Sequence, residues 1–116
     1  MKVTLTTLNS KFIHSSLALR YIDKYCRNYI EDITIKEYTI NNHLDYILAE
    51  LYKEKSDVVC FSCYIWNLNE IIELSKNLKK VNPDVIIVLG GPEVSYDPID
   101  ILKEHRYIDY IVSGEG

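Results

Sequence analysis

The run Val85-Ile86-Ile87-Val88-Leu89, closed by Gly90-Gly91-Pro92, constrains the fold of this chain more than any other feature. Consecutive β-branched residues favour an extended strand, and a strand without polar alternation is expected to be covered on both faces. Sheets covered on both faces are parallel sheets, because the crossovers between their strands lie on the faces. Pro83 breaks the chain just before the run, so a strand is expected over 84–89.

The rest of the chain alternates around it. Strands are expected over 2–8, 33–39, 57–63 and 110–113, each rich in β-branched and apolar residues. A helix is expected over 15–29, where Ala18, Tyr21, Ile22, Tyr25, Cys26 and Tyr29 recur at helical spacing and Ser15 or Ser16 can cap. A second follows Asn42, with Leu44, Ile47, Leu48 and Leu51 on one face. A third turns Leu68, Ile71, Ile72, Ser75 and Leu78 inward, and Asn67 and Glu70 at its start have the spacing of a capping box. A short fourth begins at Asp97-Pro98, a cap followed by proline at the first helical position. Strand and helix in strict alternation predict an α/β fold. The expected form is a flavodoxin-like (Rossmann-like) three-layer sandwich, its five-stranded parallel sheet in the order 2-1-3-4-5, formed by one domain over 1–116. Ligands of such sheets bind at the carboxyl ends of the strands, here the loops after strands one, three, four and five.

Charge and composition remove several classes of partner. The net charge of −4 argues against a nucleic-acid coat and against a polybasic membrane surface. The longest apolar stretches reach about six residues against the roughly 20 that span a bilayer, and MKVTLTTLNS has no signal-peptide core, so a cytoplasmic protein is expected. The three cysteines lack zinc-ligand spacing. Cys60 and Cys63 sit three apart on an expected strand and so point to opposite faces, which reads as buried free thiols rather than a redox pair.

The strand-end loops narrow the chemistry. All four glycines lie at position 90 or beyond. None follows strand one, which excludes a dinucleotide-binding glycine turn and a P-loop. Thr6, Thr7 and Ser10 supply hydroxyls there without glycine, which leaves a flavodoxin-like flavin carrier open. A phosphoacceptor receiver would need carboxylates where Leu8-Asn9 and Ser62-Cys63-Tyr64 stand. Gly90-Gly91 either admits a bulky group against the backbone or forms a tight turn. Ser62 beside Cys63, Tyr64, Ile65 and Trp66 suits a flat, partly apolar ligand, or the docking of another domain. His14, before the first helix, could ligate a metal, donate to a ligand or cap the helix. Glu93 and Glu115 can accept hydrogen bonds from strand-end loops. No nucleophile–base pair and no carboxylate pair can be assembled from spacing.

Four segments carry a family resemblance. They are Asn9-Ser10-Lys11-Phe12-Ile13-His14-Ser15-Ser16-Leu17 with the helix after it, Phe61 through Asn67, Leu89-Gly90-Gly91-Pro92-Glu93-Val94-Ser95, and Asp109 through Ser113-Gly114-Glu115-Gly116. Together they resemble the cobalamin-binding domain at the N-terminus of many radical SAM enzymes, over the whole chain. The better-known cobalamin domains carry Asp-x-His-x-x-Gly, whose histidine binds cobalt, then Ser-x-Leu and Gly-Gly motifs lining the slot for the nucleotide tail. On this chain His14 falls at the histidine, with Phe12 in place of the Asp and Leu17 in place of the Gly. Ser62 matches the Ser, with Tyr64 for Leu, and Gly90-Gly91 match the double glycine. A ligating imidazole is usually oriented by a carboxylate, which Phe12 does not supply. His14 is therefore either a cobalt ligand or a neighbour of the lower corrin face.

The resemblance implies a cobalamin-binding module. His14, Ser15, Ser16 and Leu17, with Tyr64, Ile65, Trp66 and Asn67, would border the corrin. Ser62, Cys63, Gly90 and Gly91 would flank the nucleotide tail. Pro92, Glu93, Ser113, Gly114 and Glu115 would border the tail or the next domain. It also implies a longer parent whose downstream radical SAM domain, joined in cis, holds a [4Fe-4S] cluster and S-adenosylmethionine. That cluster's Cys-x-x-x-Cys-x-x-Cys motif does not occur in this sequence, so by this resemblance the chain is not expected to catalyse alone. The other reading of the same resemblance is a degenerate domain that binds no cofactor and only docks against its catalytic partner.

Overall fold

Parallel strands leave their carboxyl ends along one edge, and that edge organises this molecule. The structure is a computed structural model that describes residues 1–9, 24, 27, 30, 32–64, 66–91, 94 and 98–112. Its elements are β1 (Lys2–Asn9), β2 (Asp32–Thr39), α1 (Leu44–Glu54), β3 (Val58–Ser62), α2 (Leu68–Val81), β4 (Ile86–Gly90), α3 (Pro98–Glu104) and β5 (Tyr110–Val112). The sheet runs β2-β1-β3-β4-β5 with every pairing parallel, as the alternation predicts. Of the helix expected over 15–29, only Lys24, which is helical, and Arg27, in a turn, are described.

Strand periodicity sorts the sheet into two unequal faces. The front face carries Leu8, Val59, Phe61, Ile87 and Leu89, which pack with Ile47 and Leu51 of α1 and Ile71, Leu74 and Leu78 of α2 into the main core. Ile101 and Leu102 of α3 lean on the same core. The back face carries a smaller cluster over β1 and β2, formed by Val3, Leu5 and Ile33 with Ile30, Ile35, Val58 and Cys60 against it.

Two expectations are corrected. The apolar run was expected to be covered on both faces, yet β4 alternates. Ile87 and Leu89 are fully buried, Val88 is half-buried, and Ile86 is 38 % exposed. The reason is topological: α1, α2 and α3 all pack on the front core, and Ile86 and Val88 face the other way. The capping box is also absent. Asn67 does occupy the cap position of α2, but its side chain makes no cap hydrogen bond. Its oxygen instead accepts from the Tyr64 N–H at 2.8 Å. Cys60 is half-buried and Cys63 is buried. Among the described residues no helix is long and apolar enough to cross a membrane.

Candidate functional site

The carboxyl ends of β1, β3 and β4 meet through a small hydrogen-bond network. Thr7 Oγ1 donates to the Ser62 carbonyl at 2.7 Å. The Cys63 N–H donates to the Gly90 carbonyl at 2.7 Å. Asn67 Nδ2 donates to the Leu8 carbonyl at 3.0 Å and to Thr7 Oγ1 at 3.2 Å. Trp66 Nε1 donates to the same Leu8 carbonyl at 3.0 Å. The loop after β3 is thus tied to the end of β1 by two side chains that follow it in sequence. Asn67 is fully buried, so its amide is spent on this tie. Left without partners there, such groups would cost roughly 1–3 kcal/mol each.

The two glycines do different work. Gly91 has φ +104°, and a Cβ there would lie 2.5 Å from the Cys63 carbonyl oxygen and 2.9 Å from its nitrogen. Only glycine fits that close approach. At Gly90 an added Cβ would meet nothing nearer than the Val112 carbonyl oxygen at 3.9 Å. Gly90 pairs with Ser62 on one side and Val112 on the other, so these three residues share the back face at the carboxyl edge. Gly90 leaves room in the middle of that row.

An aromatic step stands beside it. The rings of Tyr64 and Trp66 stack with centroids 4.6 Å apart and planes 4° from parallel. Both are half-buried. A hydroxyl residue, a side-chain-free strand end and a rigid aromatic pair make an edge suited to a large, flat, partly apolar ligand. A flavin-phosphate cradle fares worse. Thr6 and Thr7 are fully buried, and the Thr7 hydroxyl is already engaged with Ser62 and Asn67. Among the described residues no three His, Cys, Asp or Glu side chains cluster to hold a metal.

Of the site residues expected from sequence, Ser62, Cys63, Tyr64, Trp66, Asn67, Gly90 and Gly91 come together at this edge. His14, Ser15, Ser16, Leu17, Ile65, Pro92, Glu93, Ser113, Gly114 and Glu115 lie outside the described residues. Sequence reasoning weighed Thr7 only as a phosphate hydroxyl, and missed its tie and that of the Leu8 carbonyl to the loop after β3, as well as Val112. The first two act through partners more than fifty residues away, which no local pattern reports. Val112 was reachable from the predicted strand order, which sets the end of strand five beside Gly90.

Comparison with known proteins places the chain in a family. The cobalamin-dependent radical SAM methyltransferase TokK of Streptomyces tokunonensis is 38 % identical over 60 residues, 52 % of this chain and 9 % of the relative. The hopanoid C-3 methylase of Methylococcus capsulatus is 32 % identical over 102 residues, 86 % of this chain and 20 % of the relative. The chain therefore spans a fifth or less of either protein's length. Among solved structures, the cobalamin-dependent S-adenosylmethionine radical enzyme OxsB, with aqua-cobalamin and S-adenosylmethionine bound, shares the fold. Its TM-score is 0.78 at 16 % identity, over 99 % of this chain and 17 % of that one. Residues 3–116 match the family described as the B12 binding domain, and the chain belongs to that family.

Proposed function

We propose that this chain is the cobalamin-binding module of a B12-dependent radical SAM enzyme, holding the corrinoid across the carboxyl edge of the sheet. The observation that carries the reading is the row Ser62–Gly90–Val112, in which the central residue has no side chain and an added one would find space. A bulky nucleotide tail needs such a gap, and the Ser62 hydroxyl is suited to hydrogen-bond it. The Tyr64–Trp66 step would border the corrin. Asn67 and Thr7 would hold that step in place rather than touch the cofactor, since both are fully buried.

Cobalamin would supply a cobalt centre able to carry a methyl group or to tune radical chemistry. The protein's part is to bind, orient and shield it. His14 through Leu17, Pro92, Glu93 and Ser113 through Glu115 complete the proposed border, with His14 at the lower corrin face or on cobalt. The names of the relatives support a parent that also contains a radical SAM domain in cis and uses S-adenosylmethionine, and the family resemblance adds that domain's [4Fe-4S] cluster. The net charge of −4 supports the absence of a nucleic-acid partner, and a cytoplasmic location belongs to the same proposal.

The test is titration with hydroxocobalamin of the chain and of Gly90→Leu, followed on the visible corrinoid bands. Loss of binding in Gly90→Leu with retained secondary structure supports the slot. Equal binding by both proteins overturns it. Absence of binding by both, and by a longer polypeptide that contains the chain, leaves the docking domain as the better account.

A further inference from the structure

The sequence of α1 is balanced about Ala49. Tyr46 and Tyr52 stand three residues to either side of it, and Asp45 and Lys53 stand four residues to either side. At about 100° per residue all five fall within about 60° of the Ala49 direction, so they share one face of the helix. That face points to solvent. Asp45, Ala49 and Lys53 are exposed, Tyr46 is 53 % exposed and Tyr52 49 %. Toward α2 it falls into a shallow groove of about 510 Å³, lined by Asp45, Leu48, Ala49, Tyr52 and the exposed Val81. Tyr46 is held in place by an edge-on contact with Tyr38, ring centroids 6.3 Å apart.

The charges of α1 divide between two sides. Glu54 is tied to Lys2 and Lys36, and Glu50 lies within electrostatic range of Tyr38, so both belong to the flank toward β2. Asp45 and Lys53 form no ion pair among the described residues.

We infer that two copies of the chain associate through this face, α1 against α1, antiparallel about a two-fold axis at Ala49. The inference does not depend on the cobalamin reading.

Charge selects the occupant and its orientation. An antiparallel two-fold brings Asp45 and Tyr46 of one copy level with Tyr52 and Lys53 of the other, and makes each contact twice. A carboxylate then meets a phenol hydroxyl, and an ammonium meets an aromatic ring. Beside it α2 repeats the polarity, with Glu70 and Glu73 in its first half and Lys76 and Lys80 in its second. The two helices run in the same direction, since both return between parallel strands. Antiparallel copies therefore set acidic halves over basic halves, whereas parallel copies would oppose like charges. Ala49 at the axis lets the helices approach to roughly 8 Å.

Size sets the strength. A whole aromatic side chain buries about 150–250 Å², so two half-exposed tyrosines contribute roughly 200 Å². With Leu48, Ala49, Val81 and the lysine stems each copy buries roughly 400 Å², about half of a standard interface. A contact of that size belongs to the weak class, with a dissociation constant between about 10 μM and 1 mM. The face lies on the front layer, so association leaves the back-face row of Ser62, Gly90 and Val112 open.

The test is sedimentation equilibrium of the chain without corrinoid, from about 10 μM to 1 mM. The expected result is a monomer–dimer equilibrium that Ala49→Arg weakens about tenfold or more. Helix content should not change, because arginine is nearly as good a helix former as alanine. Asp45→Lys should also weaken association, by opposing like charges, and Asp45→Lys with Lys53→Asp in the same chain should restore it. A monomer at every concentration overturns the inference. So does a dimer that Ala49→Arg leaves intact, because the contact then lies on another face. Weakening by Asp45→Lys without recovery in the double variant overturns the antiparallel pairing, and the inference with it.

Discussion

Gly91 lies directly against the backbone of Cys63, so close that a Cβ would sit 2.5 Å from the Cys63 carbonyl oxygen. The contact joins the end of β4 to the loop after β3, and it separates the roles of two adjacent glycines. Gly91→Ala should destabilise the fold by about 2 kcal/mol or more, because it combines a left-handed φ with a clash against backbone. Gly90→Ala should stay within about 0.5 kcal/mol, since its Cβ enters open space. Urea unfolding of the two variants checks the contrast, and equal costs would contradict it.

Asn67 ties β1 to the loop after β3 through Leu8, Thr7 and Tyr64. Asn67→Ala strands buried donors and acceptors and should cost about 2–3 kcal/mol. The lone tryptophan reports the same event. Trp66 shares the Leu8 carbonyl with Asn67, so its emission should shift to the red as the loop loosens. Asn67→Asp keeps an acceptor for the Tyr64 N–H but loses both donors, and should resemble Asn67→Ala in emission.

Glu54 links Lys2 of β1 to Lys36 of β2, at 3.2 Å from each ammonium. Partial burial pushes its carboxyl up, but the two lysines outweigh that and hold it below the ordinary carboxylate range. A lowered carboxyl stabilises the fold above its unfolded pKa, and the contribution is lost as pH falls through the folded value. The difference in stability between the protein and Glu54→Gln should be present at pH 7, at about 0.5–1 kcal/mol for partly exposed pairs, and vanish in acid. Denaturant titrations at pH 7 and near the acid limit measure it. A constant gap would contradict the assignment.

Neighbours on β4 should respond unequally to truncation. Ile87→Ala empties a fully buried site and should cost about 2–5 kcal/mol. Ile86→Ala removes a side chain already 38 % exposed and should cost less than about 1 kcal/mol. Thermal or chemical denaturation of the pair tests the face assignment.

The strand order was legible because apolar runs, helical spacing and turn residues all pointed one way. The carboxyl-edge location of Ser62, Tyr64, Trp66 and Gly90 followed from that order. What was illegible depends on distant partners. The Asn67–Glu70 spacing reads locally as a cap, but the Asn67 oxygen accepts from the Tyr64 N–H while its amide donates to the Leu8 carbonyl, 59 residues away. The Gly90-Gly91 pair reads as one feature, a gap for a ligand or a tight turn. The positive φ and the close approach to Cys63 that require glycine at position 91 arise only when β3 and β4 are in register. The apolar run on β4 reports how apolar the strand is, not which described element covers it.

The most direct test of the central claim is the corrinoid retained after hydroxocobalamin is mixed with the chain and the excess removed by desalting. The account predicts about one equivalent bound per chain at saturation, lost in Gly90→Leu, with affinity set by how much of the border this chain supplies. A visible spectrum without corrinoid bands, from both this chain and a longer protein that contains it, would contradict the account.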